Sequence, residues 1–475
     1  MTKTLTPDIC VIGAGSGGLS VAAAASAFGE NVVLIEKNLM GGECLNYGCV
    51  PSKALLASAK SVQHQFDPVL AMDLDVSGDA NFQKAHQHLT QVIAAIAPHD
   101  SVERFESLGV TVLKEKAEFI SKDEVTAGDY RIKARRFVVA TGSAPAVPPI
   151  PGLGDVDYLT NETVFDLTEL PSALTIIGAG AVGLELGQAF HRLGSKVTII
   201  DAAEAFAKDD REFAGVVLQA LRAEGIEIIE HANVSGIAST ASGPTVRIET
   251  QSGNREVVSS HLMVAAGRLA NTEGLGFGVA GVKTNKHGVE VDGAFRTSNP
   301  RVYAIGDVIG GRQFTHAAGY QAGLVIRNLL FRLPVRYDET RVPWTTFTEP
   351  ELGHAGLTLA EAREKHGDNV RVLSALFAKN DRAIAEGRGH GGLKLYVGPR
   401  GILLGADVVG PQAGEAINFL STACSQKMKM KDLAGLVLVY PTYGEAIRTA
   451  ALSYFEAVPK NLWVRRLISV LKWLG

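Results

Sequence analysis

The stretch Asp8-Ile9-Cys10-Val11-Ile12-Gly13-Ala14-Gly15-Ser16-Gly17-Gly18 decides the fold. Its apolar run reads as a short buried strand, its glycines as a tight turn, and the Ala-rich segment after them as a helix. A second strand, Asn31 to Ile35, ends at Glu36. That is the pattern of a dinucleotide-binding βαβ unit. It returns later in the chain: Leu174 to Ile177 leads into Gly178-Ala179-Gly180-Ala181-Val182-Gly183, an amphipathic helix runs to Leu193, and the strand Lys196 to Ile200 ends at Asp201. In both copies 23 positions separate the first glycine from the acid.

Each part of the pattern has a physical reason. Gly13 and Gly178 permit the tight turn, Gly15 and Gly180 let the backbone approach a pyrophosphate, and Gly18 and Gly183 allow helix and strand to pack closely. The helix start then offers unpaired N–H groups and a positive dipole end to phosphate. Glu36 and Asp201 stand where an acid hydrogen-bonds a ribose hydroxyl. One glycine motif alone is weak, because glycine turns after strands are common; two copies with the same spacing, strand context and acid are strong. Two such sites accommodate two nicotinamides, two flavins, or one of each.

Length and composition set the frame. At 475 residues, and roughly 150 residues per domain, about three units are expected, each with its own core. Apolar residues make up 46% and charged residues 20%, the balance of an ordered globular chain. The net charge of −4 leaves no positive field for a phosphate backbone, so nucleic acid is not an expected partner. Residues 1–7 run straight into the first strand without a signal-peptide pattern, and no apolar run reaches the roughly 18 residues of a membrane span. The expected location is cytoplasmic. Four cysteines, Cys10, Cys44, Cys49 and Cys424, are too few for a secreted disulfide framework.

Between the two repeats lies Gly41-Gly42-Glu43-Cys44-Leu45-Asn46-Tyr47-Gly48-Cys49-Val50-Pro51-Ser52-Lys53. On a regular helix two cysteines five apart are turned about 140° from each other and offset about 7.5 Å. A disulfide needs its Cα atoms within about 7 Å, so closing one here requires a distorted turn. Gly41, Gly42 and Gly48 supply freedom for that distortion. Two ordinary thiols, or half of a zinc site, are the alternatives; a zinc site usually shows a second Cys/His pair, and none is present.

With these residues the chain resembles the class I pyridine nucleotide-disulfide oxidoreductases, the family of dihydrolipoamide dehydrogenase, glutathione reductase and mercuric reductase. The resemblance extends over nearly the whole chain. Val138-Val139-Ala140-Thr141-Gly142-Ser143 resembles the strand and turn where the chain leaves the flavin domain, and Ala265-Ala266-Gly267-Arg268 its counterpart at the end of the nicotinamide domain. Thr297 through Gly306-Asp307 resembles the second FAD motif, and Phe347-Thr348-Glu349-Pro350-Glu351 the opening of the dimerisation domain. The implied fold class is α/β: two Rossmann-like dinucleotide-binding domains, the nicotinamide domain inserted in the FAD domain, plus an α+β C-terminal dimerisation domain. The expected boundaries are 1–149 and 286–336 for the FAD domain, 150–285 for the nicotinamide domain, and 337–475 for the interface domain of a homodimer whose active site is shared across the interface.

The resemblance also implies a relay from NAD(P)H through flavin to a Cys44–Cys49 disulfide, and from there to a small-molecule, metal-ion or disulfide acceptor. Cys49 takes the place of the thiolate beside the flavin and Cys44 that of the interchange thiol. Lys53 and Glu185 match an ion pair beside the flavin, and Thr141, Gly142, Gly267, Arg268, Gly306, Asp307, Ala117 and Thr315 match further cofactor contacts; no resident metal is implied. Asp201 suits the ribose of NADH and repels the extra phosphate of NADPH, and no arginine follows until Arg211, so NADH is the favoured coenzyme.

The informative departure is Tyr440-Pro441-Thr442-Tyr443-Gly444-Glu445. Relatives that reduce organic disulfides carry histidine at the place of Tyr440, with a glutamate at the place of Glu445 orienting it. A tyrosine titrates near 10 and a histidine near 6.5, so the phenol does not collect a thiol's proton at neutral pH, although it donates hydrogen bonds. This tyrosine resembles the mercuric reductase branch, which is the first expectation; a dihydrolipoamide dehydrogenase tolerant of Tyr440 and a membrane-associated NADH:acceptor flavoprotein of quinone type are the alternatives. Mercuric reductases deliver the ion through a C-terminal cysteine pair, which the final residues here lack. Instead, residues 460–475 gather Trp463, Val464, Leu467, Val470, Leu471 and Leu474 on one helical face, opposite Arg465, Ser469 and Lys472. That pattern suits peripheral contact with the inner membrane surface or docking on the protein itself.

Overall fold

A computed structural model describes residues 2–65 and 80–475, which form two compact units. The first takes in residues 2–62, 80–203 and 229–339; the second takes in 63–65, 204–228 and 340–475.

The first unit begins with β1 (Ile9–Ile12), α1 (Ser16–Ala27) and β2 (Val32–Ile35), followed by the short α2 (Gly42–Asn46) and the longer α3 (Cys49–Gln65). Next come β3 (Thr111–Leu113), β4 (Arg136–Val139) and β5 (Ser143–Pro145). The second repeat is β6 (Ala173–Ile177), α4 (Ala181–Arg192) and β7 (Lys196–Ile200), with β8 (His261–Val264) and β9 (Arg268–Ala270) after it. β10 (Val302–Ala304) and α5 (Thr315–Phe331) follow.

Five parallel strands in the order β10-β4-β1-β2-β3 make the first sheet. All four residues of β1 and of β2 are buried, which is why both read as unbroken apolar runs: a parallel sheet is covered on both faces. Val21, Ala22 and Ala25 of α1 join Ala322, Val325 and Leu329 of α5 in one apolar cluster over it. Each buried Val or Leu there contributes about 1.5–3 kcal/mol. Cys10 is fully buried in β1, and its thiol is pushed up by that burial, as befits a small apolar filler. In the second repeat β7, β6 and β8 lie side by side, again parallel. β5 and β9 pair antiparallel, with Ala144 opposite Leu269. The chain's exit from the first sheet is thus joined to its return from the second.

The second unit is built on the antiparallel sheet β11 (Trp344–Thr346), β12 (Glu351–Gly356), β13 (Arg371–Leu376), β14 (Gly392–Val397) and β15 (Leu403–Gly410), in the order β11-β12-β15-β14-β13. Helices α6 (Ala413–Ser425) and α7 (Glu445–Ser453) bury Ile417, Leu420, Ile447 and Ala450 against Leu393, Leu395 and Val408. Cys424, whose polar neighbours Ser425 and Gln426 give it an exposed look in the sequence, packs against this core, and its thiol is pushed up to about 12 by burial. α8 (Leu462–Trp473) has no buried residue. Among the described residues no helix is long and apolar enough to cross a membrane.

Candidate active site

The two glycine turns are built alike, bond for bond. Gly13 N–H donates to Ile35 O at 2.8 Å and Gly178 N–H to Ile200 O at 2.8 Å. Both glycines have positive φ, and a Cβ on either would lie under 2.5 Å from a carbonyl oxygen, that of Ala140 or of Ala265. A Cβ on Gly18 would lie 1.9 Å from Gly13 O, and one on Gly183 2.0 Å from Gly178 O. Gly15 and Gly180 differ from these: both have extended backbone and open space where a Cβ would stand. No side chain caps α1 or α4, so their first N–H groups face that space, the arrangement that receives phosphate. The residues fit two dinucleotides.

The two acids are braced in the same manner. Glu36 accepts from Ala14 N–H at 2.6 Å and Asn38 N–H at 2.7 Å; Asp201 accepts from Ala179 N–H at 2.7 Å and Ala203 N–H at 2.8 Å. Each carboxylate has lone pairs left for a ribose. Beside the second turn runs a groove of about 500 Å³, lined by Gly178, Gly180, Asp201, Asn161, Gly267 and Arg268 among others.

The cysteine segment is a broken helix. α2 stops after Asn46 and α3 starts at Cys49, so the two cysteines stand on different helices. Gly41 and Gly42 have positive φ, and a Cβ on Gly42 would meet the Cα of Gly15 at 2.7 Å, which puts this segment directly on the first glycine turn. Gly48 serves by size instead: a Cβ there would lie 3.1 Å from Glu43 O. Cys44 and Cys49 are not bridged, and each acts on the other's titration. Cys49 is the one held as thiolate, lowered to about 6 by the Cys44 S–H first, then by the Thr315 hydroxyl at 3.5 Å and the charge of Lys53. The Cys44 thiol is driven up because it is the donor in that pair. Lys53 Nζ lies 2.6 Å from Glu185 Oε2, and Glu185 is only 4% exposed. Among the described residues no group of three or more His, Cys, Asp or Glu is arranged to hold a metal ion.

Thr141 and Asn271 exchange hydrogen bonds at 2.9 Å, and Gly142 O accepts from Asn271 N–H at 2.9 Å. Gly306 N–H donates to the buried Gln321 side chain at 2.7 Å, and Ala117 is buried in the strand Ala117–Phe119. Asp307 accepts from Ser143 Oγ at 2.5 Å and lies 3.6 Å from Arg268 Nε. Arg268 in turn donates to Ser143 Oγ at 2.8 Å and pairs with Glu43. Sequence reasoning singled out Arg268 and Asp307 but not Glu43, Ser143, Asn161 or Gln321. The one available signal was Glu43, an acid directly before Cys44.

In the second unit Tyr440 is 66% exposed and donates to Asp381 Oδ2 at 2.8 Å; that carboxylate pushes its phenol pKa up. Glu445 accepts from Thr442 N–H at 3.3 Å, and the tyrosine's bond goes to Asp381.

Two matched glycine turns, with a cysteine pair on a broken helix set against one of them, are the arrangement of a two-cofactor disulfide reductase. Residues 7–322 match the family model for pyridine nucleotide-disulphide oxidoreductases, residues 342–451 match the dimerisation domain of that family, and the chain belongs to it. It is 32% identical to the mercuric reductase of Lysinibacillus sphaericus over 461 residues, 96% of this chain and 83% of that one. To the dihydrolipoyl dehydrogenase of Thermus scotoductus it is 35% identical over 470 residues, 94% and 97% of the two chains. Among solved structures, a Cu(II) complex of the HOCl-induced flavoprotein disulfide reductase RclA from Escherichia coli matches with a TM-score of 0.84 at 27% identity, over 95% of this chain and 100% of that one. LpdA from Mycobacterium tuberculosis matches with a TM-score of 0.85 at 25% identity, over 95% and 99%. The expected fold class therefore holds, and the chain is an FAD- and NAD(P)H-dependent flavoprotein disulfide oxidoreductase. The dimerisation domain supports a homodimer.

Proposed function

We propose that this enzyme uses NADH to reduce a thiophilic metal ion at the Cys44–Cys49 pair, in the manner of the mercuric reductases it resembles. The observation that carries this reading is Tyr440, whose phenol donates to Asp381 and is shifted away from neutrality. A dithiol substrate needs a base to take its proton, a contribution of about 10²- to 10⁴-fold. A soft metal ion captured by thiolates does not. Five mercuric reductase relatives at 31–33% identity support the same class of acceptor, and the structural neighbour RclA was solved as a Cu(II) complex.

Bound FAD supplies the two-electron chemistry between NADH and the sulfur pair. The chain's own residues do the rest. Gly13, Gly15, Gly18, Glu36, Ala117, Thr141, Gly142, Gly306 and Asp307 hold the flavin nucleotide, and Gly178, Gly180, Gly183, Asp201, Gly267 and Arg268 the coenzyme. Cys49 is kept as thiolate by Cys44, Thr315 and Lys53, while Cys44 meets the acceptor. Tyr440 and Glu445 serve the pair of a second copy across the dimer interface. The chain divides into an FAD domain of 1–149 and 286–336, an inserted nicotinamide domain of 150–285 and an interface domain of 337–475.

The test is NADH oxidation by the purified holoenzyme with mercuric ion, Cu(II), lipoamide or a soluble quinone in parallel. Metal-dependent turnover that disappears in Cys44→Ser supports the reading. Preferred lipoamide turnover sinks it in favour of a dihydrolipoamide dehydrogenase.

A second reading concerns place and acceptor. No residue of α8 is buried, Trp463 and Trp473 are 76% and 86% exposed, and residues 459–475 contain Lys460, Arg465, Arg466 and Lys472 with no acid. Apolar side chains and cations of one sign suit an anionic lipid surface, and a quinone-type acceptor would be met there. Flotation with anionic vesicles should retain the full chain and lose a chain truncated after Pro459. Quinone turnover that survives Cys44→Ser would favour this acceptor over metal.

A further inference from the structure

Glu43 stands one position before Cys44, yet its side chain turns to residues far away in sequence. Oε1 accepts from Asn161 Nδ2 at 3.0 Å, and Oε2 takes the Arg268 guanidinium. Asn161 and Arg268 both line the groove that runs beside Gly178, Gly180 and Asp201. Asn161 also reaches Tyr47 O at 3.4 Å, and Tyr47 N–H returns to Glu43 O at 2.8 Å, so both ends of the turn carrying Cys44 are tied to one groove residue. Arg268 is held from its other side by Ser143 Oγ at 2.8 Å and by Asp307 at 3.6 Å.

We propose that Glu43 is a positioning residue for the nicotinamide coenzyme: its carboxylate presets Asn161 and Arg268 in the groove and ties them to the cysteine turn. The inference rests on reading this groove as the coenzyme site. Both carboxylate oxygens are engaged, so Glu43 acts through its two partners and not as a base for the thiols. Without the carboxylate, Arg268 keeps only the Ser143 and Asp307 side, and coenzyme entry must then order two polar side chains that are now preset. The charged groups that act on Glu43 are Arg268, Asp307 and, once reduced, Cys49. Burial pushes its carboxyl up to about 7, against the pull of Arg268, so the charged latch is complete only above neutrality.

The experiment measures NAD⁺ binding to the oxidised holoenzyme by calorimetry from pH 5.5 to 8.5, with flavin reduction by NADH followed in parallel. The native protein should bind most tightly above about pH 7 and weaken as the carboxyl protonates. Glu43→Gln, with flavin content unchanged, should bind about tenfold more weakly at high pH, the loss of one charge-assisted hydrogen bond. Its binding should be flat with pH, and its flavin reduction at saturating NADH should stay native. Asn161→Ala, which removes one donor from the same carboxylate, should weaken binding in the same direction and stands in if Glu43→Gln does not fold. Native-like affinity in both variants overturns the proposal, as does weakening of Glu43→Gln by the same factor at every pH. A native protein that neither NADH nor NADPH reduces overturns the reading of the groove instead.

Discussion

The sulfur of Cys49 lies 3.5 Å from the hydroxyl of Thr315, 266 positions later in the chain. Thr315 is the first residue of α5, so the hydroxyl is delivered by a helix start, where anions are favoured. It is the second of two donors that hold the charge, after the Cys44 S–H. In the reduced protein, ultraviolet thiolate absorbance should therefore appear with a midpoint of about 6. Cys44→Ala should move that midpoint up toward the ordinary thiol range and Thr315→Val should move it up by less. A midpoint unmoved by Cys44→Ala would show that the charge is held by something else.

The glycines of each turn should separate cleanly under substitution by alanine. Gly15→Ala places its Cβ in open space, so the protein should fold and emerge colourless. Gly18→Ala drives a Cβ to within 1.9 Å of Gly13 O and should cost enough stability to lower the yield of folded protein. Gly180→Ala should stay yellow but resist reduction by NADH. Flavin absorbance and thermal unfolding on the three variants decide the matter; a yellow Gly15→Ala protein would refute the assignment of that turn to flavin.

Lys53→Met should cost on the order of 1–3 kcal/mol, because the Glu185 side chain is 6% exposed and loses the cation 2.6 Å away. It should also raise the Cys49 midpoint, since the Lys53 charge favours the thiolate and Glu185 opposes it. Glu185→Gln should lower that midpoint instead. Opposite movements in the two variants are the signature; movement in the same direction would exclude a charge effect.

Asp201→Asn keeps the side-chain oxygen that braces Ala179 but removes the charge that repels a second ribose phosphate. The ratio of kcat/KM for NADPH over NADH should rise on the order of tenfold. The next arginine is no natural substitute for that change, because Arg211 is paired with Glu204 at 3.2 Å and donates to Ala205 O at 2.7 Å. An unchanged ratio would mean that Asp201 does not set the preference.

Both nucleotide units were legible because glycine and acid spacing encode backbone geometry directly: Gly13, Gly18, Gly178 and Gly183 admit no other residue. The cysteine segment was half legible. Its break was expected, but Gly48 acts by lack of bulk and not by backbone freedom. The cluster of Glu43, Ser143, Asn161, Arg268 and Asp307 was mostly hidden, since its hydrogen-bonded pairs lie 118 to 225 positions apart and each member alone is an ordinary polar side chain. Asp381 was hidden for the same reason, at 59 positions from Tyr440. Local pattern reveals elements and turns; it does not reveal which distant polar groups the topology brings within a hydrogen bond.

Glu36 and Asp201 are gripped by the same two backbone donors at the same two places in their loops. On the assignment proposed above, the rotamer that each ligand's sugar would meet is thus frozen in advance, and recognition there would spend little side-chain entropy. The molecule in this way contains its own matched control. A cut in one loop can be scored against its intact twin in the same polypeptide, with the flavin colour reporting on one and the pyridine nucleotide on the other.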